Sequence, residues 1–319
     1  MITQFISDSI IAIIKNNFLD LRGNTMQKNK LLISSIMLLC CLLFLGLSIF
    51  FSWRIIKNNA KSNIITVCMP LPDRMTEQEA QTTFEKLTEN FEKQYPNYGI
   101  NLLIYAGDYE KILDSQSQTE EIPVVFMGIS EINQIQNLDL IDLSKLTKKL
   151  NANYLTDMTK FDNLIPLSFS IPVIYTGDNN IITNNIIMQK ENLPENISEI
   201  SNFYDFLENP EINILSESAN LALIENYPQI SGAVHMIPVS ENNQFQMIYH
   251  DYCCINANAD KTSQKIGMLW IGYLLSEEAQ NILFTEHFGN LPLQESAFEL
   301  VTSQHQELAV LTEIKGDIT

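Results

Sequence analysis

Leu31 to Phe51, LLISSIMLLCCLLFLGLSIFF, is a run of twenty-one residues with no charged side chain. A chain carrying such a run has to bury it. At about 1.5 Å of rise per residue, a helix of that length covers a bilayer core of roughly 30 Å. Three readings compete. A cleaved signal peptide has a shorter apolar core and small residues at its cleavage site. This run ends in Phe50, Phe51, Ser52, Trp53 and Arg54, an interfacial aromatic followed by a basic stop. A lipid-attachment cysteine needs small residues before it, whereas Cys40 follows Met37, Leu38 and Leu39. An uncleaved membrane helix over residues 31–53 is the favoured reading, with residues 1–30 as a short cytoplasmic segment.

The flanking charges orient that helix only weakly. Lys15, Arg22, Lys28 and Lys30 precede it, and Arg54, Lys57 and Lys61 follow. Ile2, Phe5, Ile6, Ile10, Ile13, Ile14 and Phe18 give residues 1–25 an amphipathic face suited to a membrane surface. Met26-Gln-Lys-Asn-Lys reads equally well as a natural start, which would leave residues 1–25 untranslated. Both readings stay open.

Charge narrows the partners of the remainder. Residues 1–61 hold seven of the 19 Lys/Arg and two of the 38 Asp/Glu, so residues 62–319 carry 12 basic and 36 acidic side chains, net −24. Nucleic acid is held chiefly by Lys and Arg on phosphate, and anionic lipid attracts basic surfaces, so neither is expected as a partner. The plain consequence of the acidity is a soluble, self-repelling surface. The five cysteines form no disulfide framework. Cys40 and Cys41 lie in the apolar run, Cys68 in a strand, and the neighbours Cys253 and Cys254 in a later strand. Vicinal cysteines bridge each other only with strain, so small buried residues are the expected role, with a bridge from Cys68 to one of the pair as the alternative.

Past the apolar run the pattern alternates. Ile64–Met69 is β-branched and stops at Pro70-Leu71-Pro72-Asp73. Thr76 and Glu79 form a capping box ahead of Ala80, Phe84, Leu87, Phe91 and Tyr95, a helical stripe that Pro96-Asn97-Tyr98-Gly99 ends. Ile100–Tyr105 is a second strand, a short helix starts near Asp108, Ile122–Met127 is a third strand, and a helix follows from Ser130. Strand–helix alternation of this kind predicts an α/β domain with a parallel sheet, whose ligands bind off the carboxyl ends of the strands.

Residues 64–178 resemble the N-terminal lobe of the extracellular solute-binding proteins, the sugar-type family that serves ABC importers. The phrase FEKQYPNYGI within Glu85–Ile104, then IPVVFM at Ile122–Met127, the segment Leu140–Leu146 and the stretch LIPLSFSIPVIY at Leu164–Tyr175 follow that family's order. The last of these is similar to its crossing between lobes. Thr262–Leu293, with LLSEEAQ and GNLPL, resembles its C-terminal part more specifically. Locally, Ile266, Leu269, Trp270, Tyr273 and Leu274 form an apolar face, Ser276 caps a helix opening with Glu277 and Glu278, and Gly289 and Pro292 end it. Only about sixty residues, Asp178 to Val234, fill the place of a longer helical insertion, so the second lobe looks trimmed.

The resemblance implies a two-lobed periplasmic-binding-protein-like α/β fold of type II over residues 62–319. Lobe 1 would take about 62–170 plus 250–300, and lobe 2 about 175–248. It implies ligand contacts at Asp73 after the first strand, Ser130 after the third, Tyr175 at the crossover, Tyr227, and Tyr249 and Asp251 in the return strand. No catalytic motif, phosphate loop or cofactor signature is present, and His235, His250, His287 and His305 are scattered without metal-ligand spacing. His250-Asp251 is the one His–carboxylate neighbour pair; strand alternation would turn the two to opposite faces. The chain is expected to be no enzyme. It would capture a small polar solute, a sugar by default, outside the cell and deliver it to ABC permease subunits; a membrane-tethered sensor or accessory protein on the same fold is the alternative.

Overall fold

The computed structural model describes residues 63–72, 75–106, 123–129, 135, 138–150, 153–177, 187–193, 197–198, 203–208, 213–225, 233–285 and 289–319. Contacts divide the chain into units 1–59 and 60–319, and every described residue belongs to the second. Leu31–Phe51 lies outside the described residues, among which no helix is long and apolar enough to cross a membrane.

The first part of the chain gives β1 (Ile64–Pro70), α1 (Glu77–Gln94), β2 (Gly99–Tyr105), β3 (Val125–Ile129) and α2 (Ser144–Thr147). The middle gives β4 (Ser168–Ser170), β5 (Pro172–Gly177), β6 (Met188–Gln189), β7 (Ile197–Ser198), α3 (Phe203–Glu208), β8 (Asn213–Glu217), α4 (Leu221–Glu225) and β9 (Val234–Ser240). The last part gives β10 (Ile248–His250), β11 (Tyr252–Ile255), α5 (Lys261–Leu274), α6 (Glu277–Thr285), β12 (Leu291–Pro292), α7 (Glu295–Gln304) and α8 (Ala309–Glu313). They make three sheets: β2-β1-β3-β11, β10-β4-β12 and β6-β9-β5-β8-β7.

The first sheet follows from its alternating apolar residues. Ile65, Val67, Met69, Val125, Met127, Cys253 and Ile255 join one core, while Cys68, Phe126, Ile129 and Cys254 join another across the sheet. The first face is covered by α1 and α5. Helix α1 starts as its capping box requires: Thr76 Oγ1 accepts from the Glu79 N–H at 3.3 Å, and Glu79 Oε2 accepts from the Thr76 N–H at 2.8 Å. Two N–H groups that every helix start leaves unpaired are thereby satisfied. Its stripe of Ala80, Phe84, Leu87 and Phe91 is buried, and Phe91 meets the edge of the fully buried Trp270 of α5 at 5.3 Å.

One expectation is corrected, and for the cysteines the expected buried role holds over the bridged alternative. The third strand runs from Val125 to Ile129 rather than ending at Met127, because the distant strand β11 pairs Tyr252 with Ile129 and extends it. Cys68, Cys253 and Cys254 are buried thiols with no disulfide between them. Cys68 and Cys254 each pair with Phe126 from opposite sides, so two strand spacings of about 4.8 Å separate them, more than a disulfide spans. Cys253 and Cys254 face opposite cores, and burial pushes the Cys254 thiol up to about 12.

Candidate functional site

Strand direction locates the site. β1, β2 and β3 run parallel, and β11 runs against β3, so its first residue, Tyr252, lies at the carboxyl edge opposite Ile129. Gly128 at that edge has φ +67°, and a Cβ there would come within 3.0 Å of Pro70 Cδ, so only glycine lets the ends of β1 and β3 close up. In the five-stranded sheet β8 and β9 both run against β5, so their last residues, Glu217 and Ser240, lie beside the start of β5 at Pro172. A single residue, Ile171, separates β4 from β5. The carboxyl edges of both sheets therefore converge on one crossing, where ligands of open α/β sheets bind.

The crossing is polar. On β4, Phe169 points into the core against Phe298, and the flanking Ser168 and Ser170 point to the other face, both fully buried. Ser170 Oγ donates to Glu217 Oε2 at 2.6 Å and lies 2.8 Å from His250 Nε2, which is 2.9 Å from the same carboxylate oxygen. Ser168 Oγ donates to Asp251 Oδ2 at 2.5 Å, and the Asn290 amide donates to that oxygen at 3.0 Å. Ile171 is clamped from the other side: its N–H donates to Ser218 Oγ at 3.1 Å, and the Ser218 N–H donates to the Ile171 carbonyl at 2.9 Å.

Ser170, His250 and Glu217 are the residue types of a hydrolase triad without its wiring. A triad places the acid on the imidazole nitrogen remote from the serine. Here Ser170 and Glu217 share Nε2, so the carboxylate competes with the serine instead of supporting its deprotonation. Among the described residues no group of three or more His, Cys, Asp or Glu is placed to hold a metal ion.

The expectation that His250 and Asp251 face apart is corrected. Asp251 is not in a strand; it takes a left-handed backbone, φ 54°, between β10 and β11. That conformation breaks the alternation and returns its carboxylate to the serine face that His250 already occupies. Asp is among the few residues that tolerate it.

Gln280 supplies the remaining wall. Fully buried on α6, it donates to the Leu167 carbonyl at 3.1 Å and the Leu274 carbonyl at 3.0 Å, and it accepts from the Leu293 N–H at 3.1 Å. It thus ties the Gly289–Leu293 loop, and with it Asn290, to the strand leading into β4. Ser276 caps α6 as expected, accepting from the Ala279 N–H at 3.3 Å.

The expected contact residues are distributed unevenly. Asp73, Ser130 and Tyr227 lie outside the described residues. Tyr175 is at the crossing but fully buried, packed on Phe203 and Phe206, with its hydroxyl donating to the carbonyls of Glu217 and Ser218 at 3.0 and 3.1 Å. Tyr249 turns to the opposite face of β10 from His250. Its hydroxyl is 2.9 Å from Thr156 Oγ1 and takes a hydrogen bond from Lys160 at 2.6 Å, and its ring meets the edge of Phe161 at 5.1 Å. Of the three that are described, Asp251 alone joins the polar face. Sequence reasoning missed Ser168, Ser170, Glu217 and Asn290. The Ser-Phe-Ser alternation was the visible signal for the first two; nothing local marks the others.

No family model and no curated protein matches the sequence. Solved structures do match. A ligand-free maltodextrin-binding protein from L. casei BL23 is 12% identical over 81% of this chain and 87% of that one, with a TM-score of 0.58. A family 1 extracellular solute-binding protein from Alicyclobacillus acidocaldarius is 11% identical over 81% and 87%, with a TM-score of 0.56. An open ferric iron-binding protein A from Mannheimia haemolytica is 14% identical over 80% and 99%, with a TM-score of 0.57. At such identities the likeness establishes the fold. It is that of the two-lobed extracellular solute-binding proteins, as the sequence resemblance implied.

Proposed function

We propose that this chain is an extracellular solute-binding protein that captures a small polar solute, a carbohydrate by resemblance, and delivers it to the permease subunits of an ABC transporter. The convergence of both sheets' carboxyl edges on the Ser168–Ser170 crossing carries this reading. In this reading residues of about 62–170 and 250–300 form one lobe and about 175–248 the other, hinged at Ser168–Tyr175. Closure over the ligand does the work, with no bond chemistry. Asp73 and Ser130, beyond the ends of β1 and β3, are proposed ligand contacts by position, together with Tyr227 and Asp251; Tyr175 serves the hinge, and Tyr249 braces the far face of β10 through Thr156 and Lys160. Leu31–Phe51 is proposed as the single-pass anchor that keeps residues from about 62 onward outside the membrane, where a permease is met in two dimensions.

The test is a thermal-shift screen of residues 60–319 against sugars, oligosaccharides and other polar solutes at millimolar concentration. A ligand at 100 times its Kd adds about 2.7 kcal/mol, which moves the melting point of a domain this size by roughly 5–10 °C. No shift with any of them overturns the proposal.

A further inference from the structure

The crossing also constrains the chemistry of its ligand, an inference that rests on the solute-binding reading. Its hydrogens can be assigned one by one. Ser170 donates its hydroxyl hydrogen to Glu217, and His250 Nε2, 2.9 Å from the same carboxylate oxygen, meets it with an N–H. In the neutral ring that leaves Nδ1 as an acceptor. Asp251 Oδ2 receives both Ser168 and Asn290, so Asp251 Oδ1 and Asn290 Oδ1 have no hydrogen-bond partner among the described residues. His250 and Asp251 are consecutive, Asn290 is bonded to Asp251, and all three are half-buried.

Three neighbouring acceptors, one of them a carboxylate oxygen, call for donors. Among the described residues no Lys or Arg side chain hydrogen-bonds to any of the three; Lys160 is committed to Tyr249 on the other face of β10. A phosphate, sulfate or carboxylate would bring only acceptors and more negative charge. A protonated amine brings three N–H donors and the opposite charge. Another polar group lies on the same edge. Ser240, at the carboxyl end of β9 on that edge, is 1% exposed, and its hydroxyl has no hydrogen-bond partner among the described residues. A buried hydroxyl is costly to leave unpaired.

We propose that the crossing is an ammonium seat: His250 Nδ1, Asp251 Oδ1 and Asn290 Oδ1 accept the N–H groups of a protonated primary amine on a small solute. The amine could sit on a sugar ring or an aliphatic chain, and the experiment separates the two.

The full-length protein in detergent is titrated calorimetrically near neutral pH with glucose, glucosamine, glucuronate and putrescine. The expected result is glucosamine binding at least tenfold tighter than glucose, with glucuronate weakest. Putrescine matching glucosamine also supports the seat and makes the ring dispensable. Asp251→Asn, isosteric and tolerant of the left-handed backbone, should cut the preference for the amines over glucose at least tenfold while holding the melting point within a few degrees. Glucose or glucuronate binding as tightly as both amines overturns the seat, as does an Asp251→Asn variant that discriminates like the wild type. Silence from all four overturns it too. A hit elsewhere in the thermal-shift screen would then leave solute capture standing, and silence there would remove both.

Discussion

The Ser170–Glu217 hydrogen bond joins the end of β4 to the end of β8 across the single residue that separates the sheets, so its removal should loosen the crossing. A hydrogen bond to a charged group contributes about 1.5–3 kcal/mol net. The Glu217 side chain is 39% exposed, so water compensates part of the loss and the lower figure applies. Ser170 is fully buried, and alanine there leaves no orphan hydroxyl. Ser170→Ala should therefore cost about 1.5 kcal/mol, or roughly 3–6 °C of melting temperature in a domain of this size. Glu217→Gln, which loses the charge shared with His250, should cost about 1 kcal/mol. Because the two groups touch, the double variant should lose less than the sum, with a coupling of about 1 kcal/mol. Urea unfolding of residues 60–319, wild type, both single variants and the double variant, measures this directly from midpoints at constant slope. A coupling within about 0.3 kcal/mol of zero would refute the cross-sheet bond.

Gln280→Leu keeps side-chain volume but strands the carbonyls of Leu167 and Leu274 and the Leu293 N–H, each costing about 1–3 kcal/mol when buried. A loss below about 2 kcal/mol in chemical denaturation would contradict the fully bonded geometry. Tyr175→Phe keeps the ring against Phe203 and Phe206 and removes only the hydroxyl bonds, so about 1–2 kcal/mol should be lost by the same assay. Stability should also fall on the alkaline side. Burial raises Cys254 and Tyr154 to about 12. The unfolded chain therefore releases these protons first, and stability complete below pH 9 is lost between about 9 and 12. A urea midpoint that is flat or rising from pH 8 to 10.5 would be inconsistent with both buried groups. Finally, alkaline carbonate washing of membranes should leave the chain in the pellet with its N-terminal segment intact; cleavage just after Ser52 would make the anchor reading wrong.

The parts legible in the sequence are those written by neighbours in the chain. Thr76 and Glu79 announce α1 because a capping box closes within one turn, and Ala80, Phe84, Leu87 and Phe91 face the sheet because helical periodicity leaves no other stripe. Ser276 before Glu277, and the apolar face of α5 around Trp270, are local in the same sense. The wording of Leu164–Tyr175 marked the crossing, and the wording of LLSEEAQ reached Gln280, whose three bonds show why a glutamine stands there.

The polar face was not legible. Ser170 meets Glu217 across 47 residues and His250 across 80, and Asp251 meets Asn290 across 39. Bonds between such distant side chains leave no periodicity in the chain. The left-handed turn at Asp251 also overrides strand alternation, so Asp251 shares a face with the histidine beside it, where alternation alone set the two apart. Spacing in the sequence left a bridge from Cys68 to the later cysteines open as the lesser alternative, and β3 lying between Cys68 and Cys254 closes it for that pair. Local spacing thus determined which segments became helices and strands. Only the closing of two sheets onto one crossing decided which polar side chains share a face, because that depends on strand order and backbone handedness, which no run of residues encodes alone.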